Sequence, residues 1–242
     1  VMTQIACEVF GIPMRKVNFI SADTMLAPMD NGTMDSRATY GAGHAIKNAA
    51  LDARAKIFGV AAAHLGVRAE QLKCKEERIS SIYDDNRFIG FWEAVEMYQN
   101  VEGTVFGTGD YTPPQPRGDY DGKIIGPSPA FGFTAQIAEV DVNLRTGQVK
   151  VLKYYEATDC GKAINPASVE GQVEGGVAMG LGQALIEEIV VDLKGRVLNP
   201  NLHDYKIPTT MDMPEFDTEI IDAYDPTSAY GGKEVGEAPT GP

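Results

Sequence analysis

Apolar residues in the first hundred positions recur mainly at helical spacing, and this pattern predicts three helices. Residues 1–11 form a short amphipathic segment ending on Gly11, a residue type that commonly stops helices. The alanine-rich stretch 38–66 predicts one long helix, or two helices broken near Gly59. Residues 88–100 show the same period and predict a further helix.

Alternating apolar and polar residues predict strands in both halves of the chain. The clearest runs are 133–143 and 148–159, joined by a short turn in which Gly147 suits a hairpin. Shorter alternating runs predict further strands at 16–21, 103–112, 188–193, 196–199 and 218–224. Helices and strands therefore mix without a regular β-α-β repeat, which favours an α+β fold over a doubly wound sheet.

A proline- and glycine-rich segment, 111–132, separates the two halves and marks a connection between lobes. We expect a first lobe over residues 1–115 and a second lobe over residues 116–242. Each lobe should combine packed helices with a mixed sheet.

The composition narrows the classes of partner. The chain has 242 residues, 21 of them Lys or Arg and 34 Asp or Glu, which gives a formal net charge of −13. Such a chain repels phosphate backbones and anionic lipids, so we expect neither nucleic acid nor a membrane as partner. No apolar run approaches the roughly 20 residues of a membrane span. Three widely separated cysteines indicate reduced thiols in a cytoplasmic protein, and the histidines lack the spacing of a zinc site.

The last long helix of the sequence is unusually rich in glycine. It should begin at Asn165 and run to about Glu188, with Gln172 in its first turn. One stripe of small residues comprises Gly171, Gly175, Ala178 and Gly182. Each helical glycine costs up to about 1 kcal/mol relative to alanine, so close packing must compensate. A crossing element, or a large ligand beside Gln172, would provide it.

Two further segments carry polar groups suited to a ligand. Ser36, Arg37 and Thr39 stand at the start of the alanine-rich helix, where hydroxyls and an arginine favour an anion such as phosphate. Ser36 could instead be a simple helix cap. Residues 229–242 set two carboxylates, Glu234 and Glu237, among glycines and prolines. This composition describes either a shaped loop that aims a base or an ordinary solvated tail.

Three motifs in order give the chain a family resemblance. Residues 159–188, 204–214 and 231–237 resemble the molybdopterin-binding C-terminal part of the large subunit of molybdenum hydroxylases. That family includes xanthine dehydrogenase, aldehyde oxidoreductases, carbon monoxide dehydrogenase and nicotinate dehydrogenase. Residues 3–46 match the same region, and the span 73–123 is the least distinctive.

The resemblance assigns roles to particular residues. Glu237, in the motif GGKEVGE, matches the glutamate that acts as general base, while Glu234 has no family role. Gln172 matches a glutamine that contacts the pterin. The turn that cradles the cofactor corresponds to Ser36, Arg37, Ala38 and Thr39. Arg37 would meet the phosphates. The metal is held through the pterin, so no protein side chain is expected to ligate it.

The resemblance also implies an activity. This is hydroxylation, with water-derived oxygen, of an electron-poor carbon in an N-heterocycle such as a purine or nicotinate, or in an aldehyde. The cofactor would be molybdopterin with molybdenum, with the cytosine dinucleotide form left open. Iron–sulfur clusters and FAD would lie on partner subunits or domains, and the rest of the molybdenum subunit would complete the enzyme around its small-molecule substrate. The chain would thus be a fragment or one subunit of the active enzyme. The alternative is a non-catalytic scaffold that holds cofactor or docks partners.

Overall fold

The computed structural model describes residues 1–30, 32–34, 36–113 and 130–242. The described chain forms two compact units. The first contains the residues up to 113 together with Ser228–Tyr230, and the second contains Ala130–Thr227 and Gly231–Pro242. The lobe boundary predicted between residues 115 and 116 lies outside the described residues.

The helices of the first unit follow the predicted pattern. They are α1 (Met2–Phe10), α2 (Ala38–Leu65) and α3 (Phe91–Glu102). Helix α1 ends at Gly11, whose φ of 66° is left-handed. Helix α2 continues without a break through Gly59, so the prediction of one long helix is confirmed.

A small sheet in the first unit was not predicted from the sequence. Strands β1 (Leu72–Lys75), β2 (Arg78–Ser81) and β3 (Asp84–Gly90) form an antiparallel meander. One side chain from each strand enters the core against α2 and α3; these are Leu72, Ile79 and Ile89. Burying these side chains against α2 and α3 compensates for the short length of the strands.

Two strands predicted in the first half are wrong. Residues 16–21 form no strand and have no ladder partner among the described residues. Residues 103–112 do not pair either, because Gly107 and Gly109 lie against α2 instead. A Cβ added at Gly107 would lie 2.1 Å from the carbonyl oxygen of Ala49. A segment this close to a helix backbone has no room for a strand with alternating side chains.

The second unit contains the predicted hairpin. Strands β4 (Phe133–Val142) and β5 (Val149–Asp159) are antiparallel, and β6 (Glu215–Ile220) joins β5 in parallel to complete a mixed sheet. The runs predicted as strands at 188–193 and 196–199 form only one bridge, between Val191 and Val197. The α+β class with mixed helices and sheets is confirmed. Within the described ranges, every helix is too short or too polar to cross a bilayer.

Helix α4 (Pro166–Leu185) begins as the sequence indicates. The side chain of Asn165 accepts a hydrogen bond from the Ser168 amide, and Pro166 occupies the first helical position. The helix ends at Leu185, three residues before the predicted end near Glu188.

Candidate active site

The glycine-rich loop of residues 229–242 follows β6, and the first residues of this loop are held against the end of β5. The amide of Lys162 donates to the carbonyl of Gly231, and the amide of Lys233 donates to the carbonyl of Cys160, each at 2.7 Å. Gly161 makes this approach possible, because a Cβ there would lie 2.2 Å from the Gly231 oxygen. Burial raises the pKa of the Cys160 thiol, which keeps it protonated and structural.

An ion pair reinforces the same junction. The Nζ atom of Lys233 lies 2.7 Å from a carboxylate oxygen of Asp159, and the two side chains are only 9% and 19% exposed. The second oxygen of Asp159 accepts from the Gly161 amide at 2.9 Å. Both the backbone and a shielded charge pair therefore fix the beginning of the loop.

Glu234 also anchors the loop, although the sequence gave it no partner. Its Oε1 atom accepts a hydrogen bond from the Gly132 amide at 3.1 Å, and the side chain is half-buried. Glu234 is thus a structural residue of the loop. Glutamine at this position would keep an acceptor for Gly132.

The far end of the loop is a short 3₁₀ turn, Ala238–Thr240, packed into the second unit. Pro239 is fully buried, and a Cβ at Gly176 of α4 would lie 2.8 Å from its Cβ. A Cβ at Gly180 would lie 3.0 Å from the carbonyl oxygen of Thr240. On the other side, the Nε2 atom of Gln136 on β4 donates to the Pro239 carbonyl at 2.9 Å.

Glu237 lies between Glu234 and Pro239, the two residues at which the loop is held. It caps the 3₁₀ turn, and its carbonyl accepts from the Thr240 amide at 3.2 Å. Its side chain is exposed, whereas Pro239 two residues later is buried. The loop is therefore held on both sides of an exposed carboxylate, and it is not an unrestrained tail.

Helix α4 packs closely through glycines that differ in part from those predicted. A Cβ at Gly171 or Gly175 would meet no atom within 4 Å, so no crossing element packs on these two positions, and a ligand beside them stays a prediction. The contacts occur instead at Gly176 and Gly180, and at Gly182 against Pro208. The turn that carries Pro239 therefore packs on the helix face of Gly176 and Gly180, and this face is displaced by one residue from the predicted stripe.

Gln172 lies on the open side of α4. It is the seventh residue of the helix and is exposed in the second turn, so its predicted place in the first turn is wrong. The helix starts at Asn165 and Pro166 as predicted, and with 3.6 residues per turn its seventh residue already lies in the second turn. Gln172 follows Gly171 and precedes Gly175 by three residues, and a Cβ at either glycine would meet open space.

The predicted phosphate turn lies at the start of α2 in the first unit. Arg37 is the helix cap, so the simple interpretation of Ser36 as the cap is wrong; Ser36 precedes it with a left-handed φ of 54°. Ser36, Arg37, Ala38 and Thr39 are all half-buried. Arg37 makes no side-chain capping bond to the helix, unlike Asn165 of α4.

An aromatic cluster that the sequence did not reveal follows this turn. Tyr40 is 1% exposed, and the rings of His44 and Tyr111 stack with centroids 4.0 Å apart. Burial, together with a hydrogen bond to Tyr40, raises the pKa of Tyr111 to about 12, so its hydroxyl stays neutral. The cluster packs the residues directly after the Arg37 cap.

These structural features agree with the family shown by comparison. Residues 1–214 match the model of the molybdopterin cofactor-binding domain, and the chain belongs to this family. It is 34% identical over 244 residues to the xanthine dehydrogenase molybdenum-binding subunit of Escherichia coli O157:H7, covering 99% of this chain and 31% of that one. The carbon monoxide dehydrogenase large chain of Hydrogenophaga pseudoflava is 31% identical, with 98% of this chain and 28% of that one covered.

Solved structures give the same result at the level of the fold. Quinoline 2-oxidoreductase from Pseudomonas putida 86 superimposes with a TM-score of 0.86 and 26% identity, over 99% of this chain and 30% of that one. The chain thus spans about a third of the length of these relatives.

Proposed function

We propose that this chain is the cofactor-binding part of a molybdenum hydroxylase and that Glu237 is its general base. The observation that carries the proposal is the loop held at both ends around an exposed carboxylate. A general base must reach the proton it takes within hydrogen-bond distance, so its backbone must be held in place while its side chain stays accessible.

The residues of each unit fit the chemistry of molybdopterin, which carries a phosphate and a polar ring. At the start of α2, Arg37 stands with Ser36 and Thr39 near the positive end of a 28-residue helix, a setting that favours a phosphate. On α4, Gln172 offers both an amide donor and an acceptor beside two glycines with open space. A planar ring could approach the helix backbone closely there. The assignment of Ser36, Arg37, Ala38, Thr39 and Gln172 to the cofactor is part of this proposal.

In this proposal the cofactor and the protein side chains have different roles in the reaction. When bound, the molybdenum cofactor supplies the two-electron redox chemistry of the hydroxylation. The carboxylate of Glu237 accepts a proton from the water-derived group that adds to the substrate carbon. Gln172 and the turn at Arg37 bind and orient the cofactor.

We propose an electron-poor carbon as the reacting centre, in an N-heterocycle such as a purine or nicotinate, or in an aldehyde. Support comes from two relatives whose names refer to xanthine and quinoline, both N-heterocycles. Such carbons are open to nucleophilic addition, which a general base promotes by raising the nucleophilicity of the attacking oxygen.

Electron removal requires further groups. We propose iron–sulfur clusters and FAD on partner subunits or domains, with the remaining part of the molybdenum subunit completing the substrate pocket. Relatives described as a large chain or a molybdenum-binding subunit support a multi-subunit enzyme. The cofactor would be molybdopterin with or without the cytosine dinucleotide. All three cysteines are free thiols, which supports a cytoplasmic location.

The test is the substitution Glu237→Gln in the complete enzyme. Glutamine keeps the size of the side chain but takes no proton, so turnover should fall by about 10²-fold or more while molybdenum and pterin content stay normal. The matched control is Glu234→Gln, which removes a charge from the same loop and keeps an acceptor for the Gly132 amide. Turnover of this control should stay near that of the wild type.

Equal and small losses from both substitutions would contradict the general base. The scaffold interpretation would then be favoured, most strongly if the purified complex also lacked stoichiometric molybdenum. Candidate purines, nicotinate and aldehydes should be screened with the wild-type enzyme first, because the comparison needs a measurable turnover.

A further inference from the structure

The side chain of Gln136 connects the sheet of the second unit to the loop that carries Glu237. Gln136 lies on β4, and its Nε2 atom donates to the carbonyl oxygen of Pro239 at 2.9 Å. We propose that Gln136 is a positioning residue, which holds the Pro239 turn and thereby the direction in which Glu237 presents its carboxylate. This inference rests on the proposed role of Glu237.

The amide of Gln136 has only one orientation that satisfies its neighbours. Its Oε1 atom accepts from the hydroxyl of Tyr154 at 2.7 Å, and its Nε2 atom also donates to Oε2 of Glu156 at 2.8 Å. Burial and the nearby Glu156 raise the pKa of Tyr154, which keeps its hydroxyl protonated and able to donate. The Pro239 carbonyl and an ionised Glu156 carboxylate can only accept, so a flipped amide would lose both of these bonds.

The acceptor Glu156 is itself fixed in the sheet. It is 4% exposed on β5, and its Oε1 atom accepts from the Thr134 hydroxyl at 2.8 Å. Gln136 thus accepts one hydrogen bond from Tyr154 and donates one to Glu156, both on the neighbouring strand, in addition to its hydrogen bond to the loop. A side chain constrained by two partners transmits the position of the sheet to its third partner.

The location of the third partner gives this network a functional consequence. Pro239 is buried against Gly176 of α4 and lies two residues after Glu237. Among the described residues, Gln136 supplies a side-chain hydrogen bond to this turn from the sheet side. Without that bond the turn would still be packed on α4 but could tilt away from β4. A displacement of about 1 Å at a catalytic group can cost about 10²-fold in rate.

The test uses Gln136→Met in the complete, cofactor-loaded enzyme. Methionine preserves the length of the side chain and removes all three hydrogen bonds. We expect kcat to fall by about 10- to 100-fold, with KM changed less than about threefold and normal molybdenum and pterin content. Tyr154→Phe leaves the bond to Pro239 in place, so its kcat should fall by less than about threefold.

Two controls separate positioning from stability. Thr134→Val removes a bond to the same buried Glu156 but does not touch the loop, so it should lower the thermal midpoint and leave kcat near the wild-type value. Gln148→Met makes the same exchange at an exposed site in the turn of the same hairpin and should change neither quantity.

The outcomes distinguish this inference from the proposed function. If Glu237→Gln abolishes turnover but Gln136→Met retains it, the positioning role is wrong and the general base stands. If Gln136→Met loses kcat only in proportion to its cofactor content, or no more than Thr134→Val does, Gln136 is merely structural. Should Gln136→Met fail to assemble, Gln136→Asn replaces it, because asparagine keeps the amide but shortens the side chain. A kcat lowered by about 10-fold or more at normal cofactor content would support the positioning role, and a wild-type kcat would overturn it.

Discussion

The contact between α4 and the Glu237 loop can be tested at a pair of adjacent glycines. A Cβ at Gly176 would lie 2.8 Å from Cβ, 3.2 Å from Cγ and 3.4 Å from Cδ of Pro239. Non-bonded carbons prefer about 3.5–4.0 Å, so Gly176→Ala must open this contact by roughly 1 Å. Pro239 is fully buried and its ring is rigid, which leaves no flexible side chain to yield.

The magnitude follows from comparing two opposing effects. Overpacking a buried site costs typically about 1–3 kcal/mol. Replacing a helical glycine by alanine contributes up to about 1 kcal/mol in the other direction. Gly175→Ala shares this second effect and meets no protein atom within 4 Å, so without bound cofactor it should be neutral or stabilising. The two variants should therefore differ by about 1–3 kcal/mol in the free energy of unfolding.

Two measurements check this reasoning. Measured without bound cofactor, the thermal midpoint of the purified protein should be lower for Gly176→Ala than for Gly175→Ala by about 2–4 °C per kcal/mol. Turnover of Gly176→Ala should fall by up to about 10²-fold, because the roughly 1 Å displacement occurs beside the turn that Glu237 begins. Equal midpoints for the two variants, combined with full turnover of Gly176→Ala, would show that the glycine is not required for this contact.

Two further predictions concern charged groups of the second unit. Lys233→Met removes the ion-pair partner of the shielded Asp159 and should destabilise the protein by up to about 3 kcal/mol. Lys162→Met breaks the exposed pair with Asp222 and should cost less than about 1 kcal/mol. Equal thermal midpoints for the two variants would contradict this difference. Burial raises the pKa of Glu156, so the folded protein binds more protons than the unfolded chain between the ordinary and the raised value, and stability should fall as pH rises through that window. Glu156→Gln should remove this fall, and a midpoint-versus-pH curve parallel to that of the wild type would refute the assignment.

Local patterns in the sequence predicted the elements whose boundaries depend on neighbouring residues. Helix α2 and the β4–β5 hairpin follow from periodicity over ten or more positions, and the start of α4 follows from Asn165 and Pro166. The meander β1–β3 was missed because two of its strands have only four residues, too few for a period to be recognised. The run 103–112 alternates like a strand, yet Gly107 and Gly109 lie against α2, a contact that no short window of sequence contains.

The candidate site divides in the same way. The sequence by itself pointed to Glu237 as the proposed base, because a glutamate among glycines and prolines, in a motif that resembles a known family, is visible within a few residues. Only the tertiary structure decided how that glutamate is held. Gln136 reaches Pro239 across 103 positions of sequence, and the α4 glycine that packs against Pro239 is Gly176, which lies outside the predicted stripe. Propensity and periodicity act over one or two turns of chain, whereas the supports of the loop depend on the path by which β4, α4 and the loop meet.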